Sequence, residues 1–283
     1  MGALPETFAP AESDALMAAR ALLLEDRLIP YLGPGVLALG GAAVPDSPEA
    51  VAAALHKLAP APQKIRTSMW SVAQFIESRR HRTTLTKFMA DLFAAPSEPN
   101  ALQRWIAGQK LSLVVDAWYD GGMAAAMRAA GRDDFIEIQG ATRATLGAEG
   151  WTRRYDHAHA DVATPASPRA VLYAPHGSVR PARNFLVSDS DYVEVLTEID
   201  IQTPIPEEVQ EIRASRGFLF LGCRFHDQML RTYARQIMKR SAGPHFAVVN
   251  AETLTRNEAK FLVENAIAPI VTPLEEVAAT LIG

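Results

Sequence analysis

Four stretches of this 283-residue chain carry residue types that could do chemistry. His176 follows Tyr173-Ala174-Pro175 and precedes Gly177-Ser178, just after an apolar run. An imidazole titrates near neutral pH, so at a strand end it can take or give a proton, whereas in a solvated loop it has no such task. Cys223 and Arg224 follow Gly217–Gly222. A neighbouring cation lowers a thiol's pKa toward the thiolate, while a buried lone cysteine is simply a small core residue. The Arg224 guanidinium either forks onto phosphate oxygens or pairs with a carboxylate such as Asp227. In Tyr155-Asp156-His157-Ala158-His159-Ala160-Asp161, the His-x-His pair could meet one metal ion, joined by Cys223, His226 or His176. Nothing in its spacing demands a metal, and a polar surface loop suits it better. Gly33-Pro34-Gly35 is a turn that lets backbone approach a phosphate closely, or else an ordinary strand-to-helix connection.

These residues sit at the ends of predicted strands. Leu28–Leu32, Leu111–Val115, Asp134–Gln139, Arg169–Ala174, Gly217–Leu221, His245–Val249 and Ala268–Val271 read as strands, with Pro30 the weak point of the first. Between them lie helical patterns. Ser13–Glu25, the segment opening at Pro48, Ser71–Ser78, Leu85–Phe93 and Met123–Ala130 belong to the first half. A helix start at Asp191, then Asp227–Lys239, Asn257–Asn265 and Pro273–Leu281, belong to the second. Gly147–Ala166 reads as polar and irregular. Strands alternating with helices predict an α/β fold with a doubly wound, mostly parallel Rossmann-like sheet. One domain over 1–283 is expected, with a helical insertion near 46–108.

Composition narrows the function classes. Hydrophobic residues make up 48% and charged residues 21%, enough for a sizeable core. A net charge of −4 argues against a nucleic-acid partner, and the run Arg79-Arg80-His81-Arg82 then reads as a solvated face. The single cysteine excludes an intramolecular disulfide and any zinc site built on cysteine pairs, and it fits a reducing cytoplasm. No apolar stretch is long enough to span a bilayer, so no membrane role is expected. The absence of a Gly-x-Ser-x-Gly elbow and of a Walker loop removes acyl hydrolases and P-loop NTPases.

Taken in order, the strand-end segments resemble those of the SIR2-like family. Tyr31–Val36 with Gly40–Pro45 resembles its glycine turn and downstream Gly-hydrophobic-Pro. Val114–Asp120 falls where the family has Thr-Thr-Asn-Tyr-Asp, and Tyr173–Ser178 is similar to its Leu-His-Gly-Ser. Val187–Tyr192 resembles its Thr-x-x-Asp-Tyr, Phe218–Leu230 its Phe-Leu-Gly-Tyr-Ser segment, and Asn250 its ligand-facing asparagine. The likeness runs over about Pro30–Leu281 and is nearest to SIR2-like domains lacking a zinc module, as in bacterial NAD-degrading defence proteins. It implies NAD, ADP-ribose or a related nucleotide across the strand ends, without zinc, held by Gly33, Gly35, Val36, Trp118, Gly222, Cys223, Arg224 and Asn250. It also implies catalysis by a histidine, here His176, with an asparagine. A homo-oligomer or protein partner is a further expectation from the family.

This chain departs from the pattern where ligand is expected. Trp118 replaces the asparagine, and indole has one donor and no acceptor with which to orient a water. Asp116, on Trp118's face of a strand, or Asp120 would have to help His176 instead. Leu37 stands where a serine is usual, Pro34 lacks an N–H, and Gly222-Cys223-Arg224 replaces a hydroxyl-bearing pattern. Binding with impaired or altered catalysis in a sensor or regulatory subunit is therefore expected. An active NAD glycohydrolase and a non-catalytic scaffold are the alternatives.

Overall fold

Apolar runs such as Leu28–Leu32 cannot leave one face in water, so they need cover on both sides. The computed structural model, which describes residues 12–41, 43–96, 98–141, 151–162, 170–201 and 205–283, provides it. In chain order the strands are β1 (Leu28–Leu32), β2 (Leu113–Asp116), β3 (Phe135–Gly140), β4 (Thr152–Asp156), β5 (Ala170–Ala174), β6 (Gly177–Ser178), β7 (Asn184–Phe185), β8 (Gly217–Leu221), β9 (His245–Val248) and β10 (Ile267–Ile270). The helices are α1 (Glu12–Leu24), α2 (Pro48–Leu58), α3 (Met69–Arg80), α4 (Arg82–Leu92), α5 (Ala101–Ala107), α6 (Gly122–Ala129), α7 (Asp189–Ile201), α8 (Glu207–Arg213), α9 (Gln228–Met238), α10 (Arg256–Glu264) and α11 (Leu274–Ile282). Among the described residues, eight strands form one sheet in the order β10-β9-β8-β1-β2-β5-β3-β4. Its neighbours are parallel except β3 and β4.

Strand alternation divides the apolar residues between two cores. Ile29 and Tyr31 of β1, with Phe218 and Phe220 of β8, join α2, α3, α4 and α9 in one layer. Leu28 and Leu32, with Leu219 and Leu221, join α1, α5, α6 and α11 in the other. The doubly wound α/β architecture follows from this division. Pro30 lies in a central strand, not at an edge. Arg27, Tyr31 and Gly33 face β8 with their backbone polar groups, so Pro30 faces β2, whose first pair with β1 is Tyr31↔Val115. The ladder to β2 starts only beyond Pro30, which has no N–H to give it.

Between β1 and β2 the helices fall into two groups. α2, α3 and α4 pack on one another as a layer beside the sheet, whereas α5 packs on α6 and α11 across it. Ser47 caps α2 by accepting from Ala50 N (3.3 Å), with Pro48 in the first turn.

Two expectations are corrected. Thr152–Asp156, read as irregular, is the antiparallel edge strand β4; its Arg153-Arg154 pair hides the strand pattern, and charge is what an exposed edge carries. Other parts of 147–166, together with Arg169 and Ala42, lie outside the described residues. Arg82 is no solvated residue: its guanidinium grips Asp191 at 2.7 and 2.8 Å and the Phe185 carbonyl at 2.5 Å, tying α4 to the start of α7. Among the described residues no helix is long and apolar enough to cross a membrane.

Candidate functional site

After β5 the chain crosses to β8 on the far side of β1, so the sheet's direction of growth reverses there. Crevices in open parallel sheets lie at the carboxyl ends of strands beside such a reversal. Gly33-Pro34-Gly35 leaves β1 at this point, and its donors are turned inward. Gly33 N–H donates to the Leu221 carbonyl (2.8 Å), Gly35 N–H to the Gly222 carbonyl (2.9 Å) and Val36 N–H to the Gly33 carbonyl (3.2 Å). A Cβ on Gly33 would stand 2.5 Å from the Gly222 oxygen and 2.8 Å from the Cys223 Cα. Gly222 itself holds φ at +63°, where a side chain is strained. The glycines are required by two backbones pressed together. Val36 and Leu37 are buried, and the Val36 carbonyl accepts from Asn100 Nδ2 (2.9 Å).

Beyond β8, β9 and β10 opens a cleft of about 250 Å³. Gly35, Gly222, Cys223 and Arg224 form one side of it, and Asn250, Thr253, Thr272 and Glu275 bring polar groups from the other strand ends. Val248, Leu254 and Pro273 supply apolar wall. Arg224 is already engaged: Nε and Nη2 meet Glu258 at 2.9 and 3.2 Å, and Nη2 also donates to the Thr253 carbonyl (3.0 Å). Its partner is thus Glu258 and not Asp227, which caps α9 by accepting from Met229 N (2.8 Å) and Leu230 N (3.1 Å). Glu258 also accepts from Phe225 N–H and Thr255 N–H. Burial raises its pKa, but the bonds from Arg224 and Thr255 outweigh that and hold it at about 2.

His176 occupies a closed chamber. It is 1% exposed, with rings of Tyr233 at 4.9 Å, Tyr192 at 5.7 Å and Tyr119 at 6.3 Å. Nδ1 lies 3.1 Å from the Ala117 carbonyl, so the proton sits there and Nε2 is left as an acceptor without a partner. Burial pushes the imidazole's pKa down to about 4, and the Ala117 bond only partly opposes it. The cavity next to it measures about 20 Å³ and is bounded by Tyr31, Gly33, Pro34, Phe225 and Leu230, among others.

Neither proposed helper reaches His176. Asp116 and Asp120 both turn to the first turn of α6, accepting from Met123 N (3.3 Å) and Gly122 N (2.9 Å) respectively. Val114, two residues before Asp116, belongs with α6 to the opposite core from the His176 rings. Burial, and secondarily the charge of Asp120, raise the Asp116 pKa well above the ordinary carboxylate range. Trp118 does not share that face either, because β2 has ended and strand alternation with it. It is 2% exposed, donates Nε1–H to the Pro45 carbonyl (2.8 Å) and packs on Tyr119 and Phe93. Trp118 and Val36 line neither the cleft nor the chamber.

The Cys223 thiol faces the Tyr31 and Leu221 carbonyls at 3.6 Å, and desolvation raises its pKa well above the ordinary thiol value, away from a thiolate. His226 Nε2 meets Glu49 Oε1 at 2.8 Å, joining the start of α2 to the loop after β8. His157 and His159 follow the edge strand β4, separated from β8 by four strands, or roughly 24 Å at the usual spacing. Among the described residues no three or more His, Cys, Asp or Glu side chains converge on a metal-sized site.

A family model for the SIR2-like domain matches residues 112–270, more than half of the chain. This chain belongs to the SIR2-like domain family. No curated protein matches it. In this SIR2-like domain the matched span begins just before β2 and holds His176, Arg224 and Asn250, while the glycine turn and α2–α5 precede it. Of the residues lining the cleft, the sequence reading names Gly35, Gly222, Cys223, Arg224 and Asn250 and omits Thr253, Glu258, Thr272 and Glu275. Thr255-x-x-Glu258 is a legible capping box, and both of its reciprocal bonds form. That Glu258 also takes Arg224, 34 positions away in the chain, has no local signal.

Proposed function

We propose that this SIR2-like domain binds an adenine nucleotide such as NAD or ADP-ribose at the ends of β8, β9 and β10 without cleaving it, as a sensor or regulatory subunit. The observation that carries this reading is the contrast in space. About 250 Å³ lies beside Arg224 and Asn250, and about 450 Å³ beside Arg224 and the glycine turn, against about 20 Å³ beside His176, room for about one water. The open cleft is below the roughly 300–1,000 Å³ of pockets for drug-sized ligands, which suits one end of a dinucleotide. With a pKa of about 4, His176 is neutral at physiological pH and a weak base.

NAD or ADP-ribose is expected to raise the melting temperature of the full chain, while nicotinamide release from NAD stays at background. A second reading, active NAD hydrolysis, draws support from the unpartnered His176 Nε2. Steady nicotinamide release that His176→Ala abolishes would replace the first reading with this one. An unchanged melting temperature with both ligands would leave the domain as a scaffold.

A further inference from the structure

We infer that the groove on the opposite side of the molecule, where α9 ends and β9 and β10 begin, is a second ligand site that takes a small phosphate ester carrying sugar hydroxyls. The groove measures about 510 Å³, within the roughly 300–1,000 Å³ of small-molecule sites. Arg235, Lys239 and Arg240 line it, and no aspartate or glutamate does. Three cations gathered without a carboxylate run against the chain's net charge of −4. The site does not depend on the nucleotide reading of the cleft. α9 starts near that cleft and ends at the groove, a length of about 16 Å for its 11 residues.

The two arginines are not needed by the helix end. A helix C-terminus leaves carbonyls to be satisfied and attracts positive charge. Other groups do that here. Arg213 Nη1 donates to the Gln236 (3.0 Å) and Ile237 carbonyls, and Ser241 gives both N–H (3.1 Å) and Oγ–H to the Met238 carbonyl. Among the described residues the guanidinium groups of Arg235 and Arg240 have no hydrogen bond or ion pair. Glu264, the acid beside the groove residue Asn265, pairs with Lys260 at 3.5 Å. Burial lowers the Arg213 pKa and the nearby Arg240 charge adds to that, a repulsion that a bound anion relieves. Arg240 also holds φ at +67°, where glycine is favoured, so its side chain is carried at a backbone cost. Guanidinium groups fork onto phosphate oxygens, which selects phosphate. The neutral groups select its substituent. Asn265 gives Nδ2–H to the Phe261 carbonyl (2.7 Å) and keeps Oδ1 to accept, and the buried Gln236 Oε1 has no partner. Two amide acceptors suit hydroxyl donors, which a sugar phosphate brings.

Titration calorimetry of the full chain with ribose 5-phosphate, inorganic phosphate and ribose tests this. Ribose 5-phosphate is expected to bind about tenfold tighter than inorganic phosphate and about a hundredfold tighter than ribose. Its affinity should fall by about tenfold between about 50 and 500 mM salt. Arg235→Gln and Arg240→Gly are each expected to weaken it by about tenfold. Arg240→Gly should do so with little change in melting temperature, because glycine suits the left-handed turn. Ribose 5-phosphate binding that neither substitution changes would place the ligand elsewhere and overturn the inference. So would the absence of binding at about 10 mM ribose 5-phosphate. Inorganic phosphate binding as tightly as ribose 5-phosphate would overturn the part assigned to sugar hydroxyls. Both substituted side chains are exposed, so the variants keep the fold and the comparison stays readable.

Discussion

The carboxyl edge of the sheet ends in two regions built to opposite plans. Around His176, at the ends of β1, β2 and β5, tyrosine rings pack on the imidazole, and the cavity beside it measures about 20 Å³. At the ends of β8, β9 and β10, short polar side chains rim an open cleft of about 250 Å³. The closed region holds the imidazole from which the family resemblance implies catalysis, and the open region holds the groups suited to bind. Reactive residue types alone are thus a poor guide to where space is left beside them. The side chains around them decide whether anything can approach.

The most damaging way to break the closed region is Trp118→Ala. It removes a fully packed indole and its bond to Pro45, so a loss of about 3–5 kcal/mol is expected by urea denaturation. A loss under about 1 kcal/mol would mean that this region is not close-packed.

Next is the pH dependence set by His176. Its folded pKa of about 4 lies below the ordinary 6.5, so the unfolded chain binds the proton first as pH falls. The stability contributed by keeping it neutral is full above about pH 6.5 and is lost as pH drops to about 4, by up to about 3 kcal/mol. A His176→Phe variant should lose this slope between those pH values in denaturation series. An unchanged slope would place the imidazole in contact with water.

In the open region effects are smaller. Glu258→Gln weakens the grip on Arg224 and costs about 1–3 kcal/mol. The Glu258 pKa of about 2 lies below the unfolded value, so its stabilisation is present above about pH 4.5 and fades as pH falls toward 2. The variant should therefore show a shallower acid-side decline in stability than the parent. Smallest is Cys223→Ala, expected within about 1 kcal/mol of the parent. The parent thiol should also react slowly with iodoacetamide at pH 8, since desolvation favours the protonated form. Fast alkylation would show that the thiol is charged and the region more open than its geometry implies.

Most strands were legible as apolar runs, as Gly217–Leu221 is, and Asp134–Gln139 by its alternation. Strand β4 was not, since the charge that protects a sheet edge also hides its alternation. At the site, His176, Arg224 and Asn250 were visible as residue types at strand ends. Asp116 and Asp120 were assigned to the wrong company, because their direction depends on α6, whose first amides they accept.

By itself the sequence determined the α/β class, most of the order of the elements, a tight turn at Gly33-Pro34-Gly35, and the replacements at Pro34, Leu37 and Trp118. Those are local properties of residue type and spacing. Only the tertiary structure decided which groups are spent. Gly33 and Gly35 point their amides at β8, Arg224 turns to Glu258, and Trp118 bonds to Pro45. Each partner comes from a distant part of the chain, and a donor can recognise a ligand only if the fold has left it free.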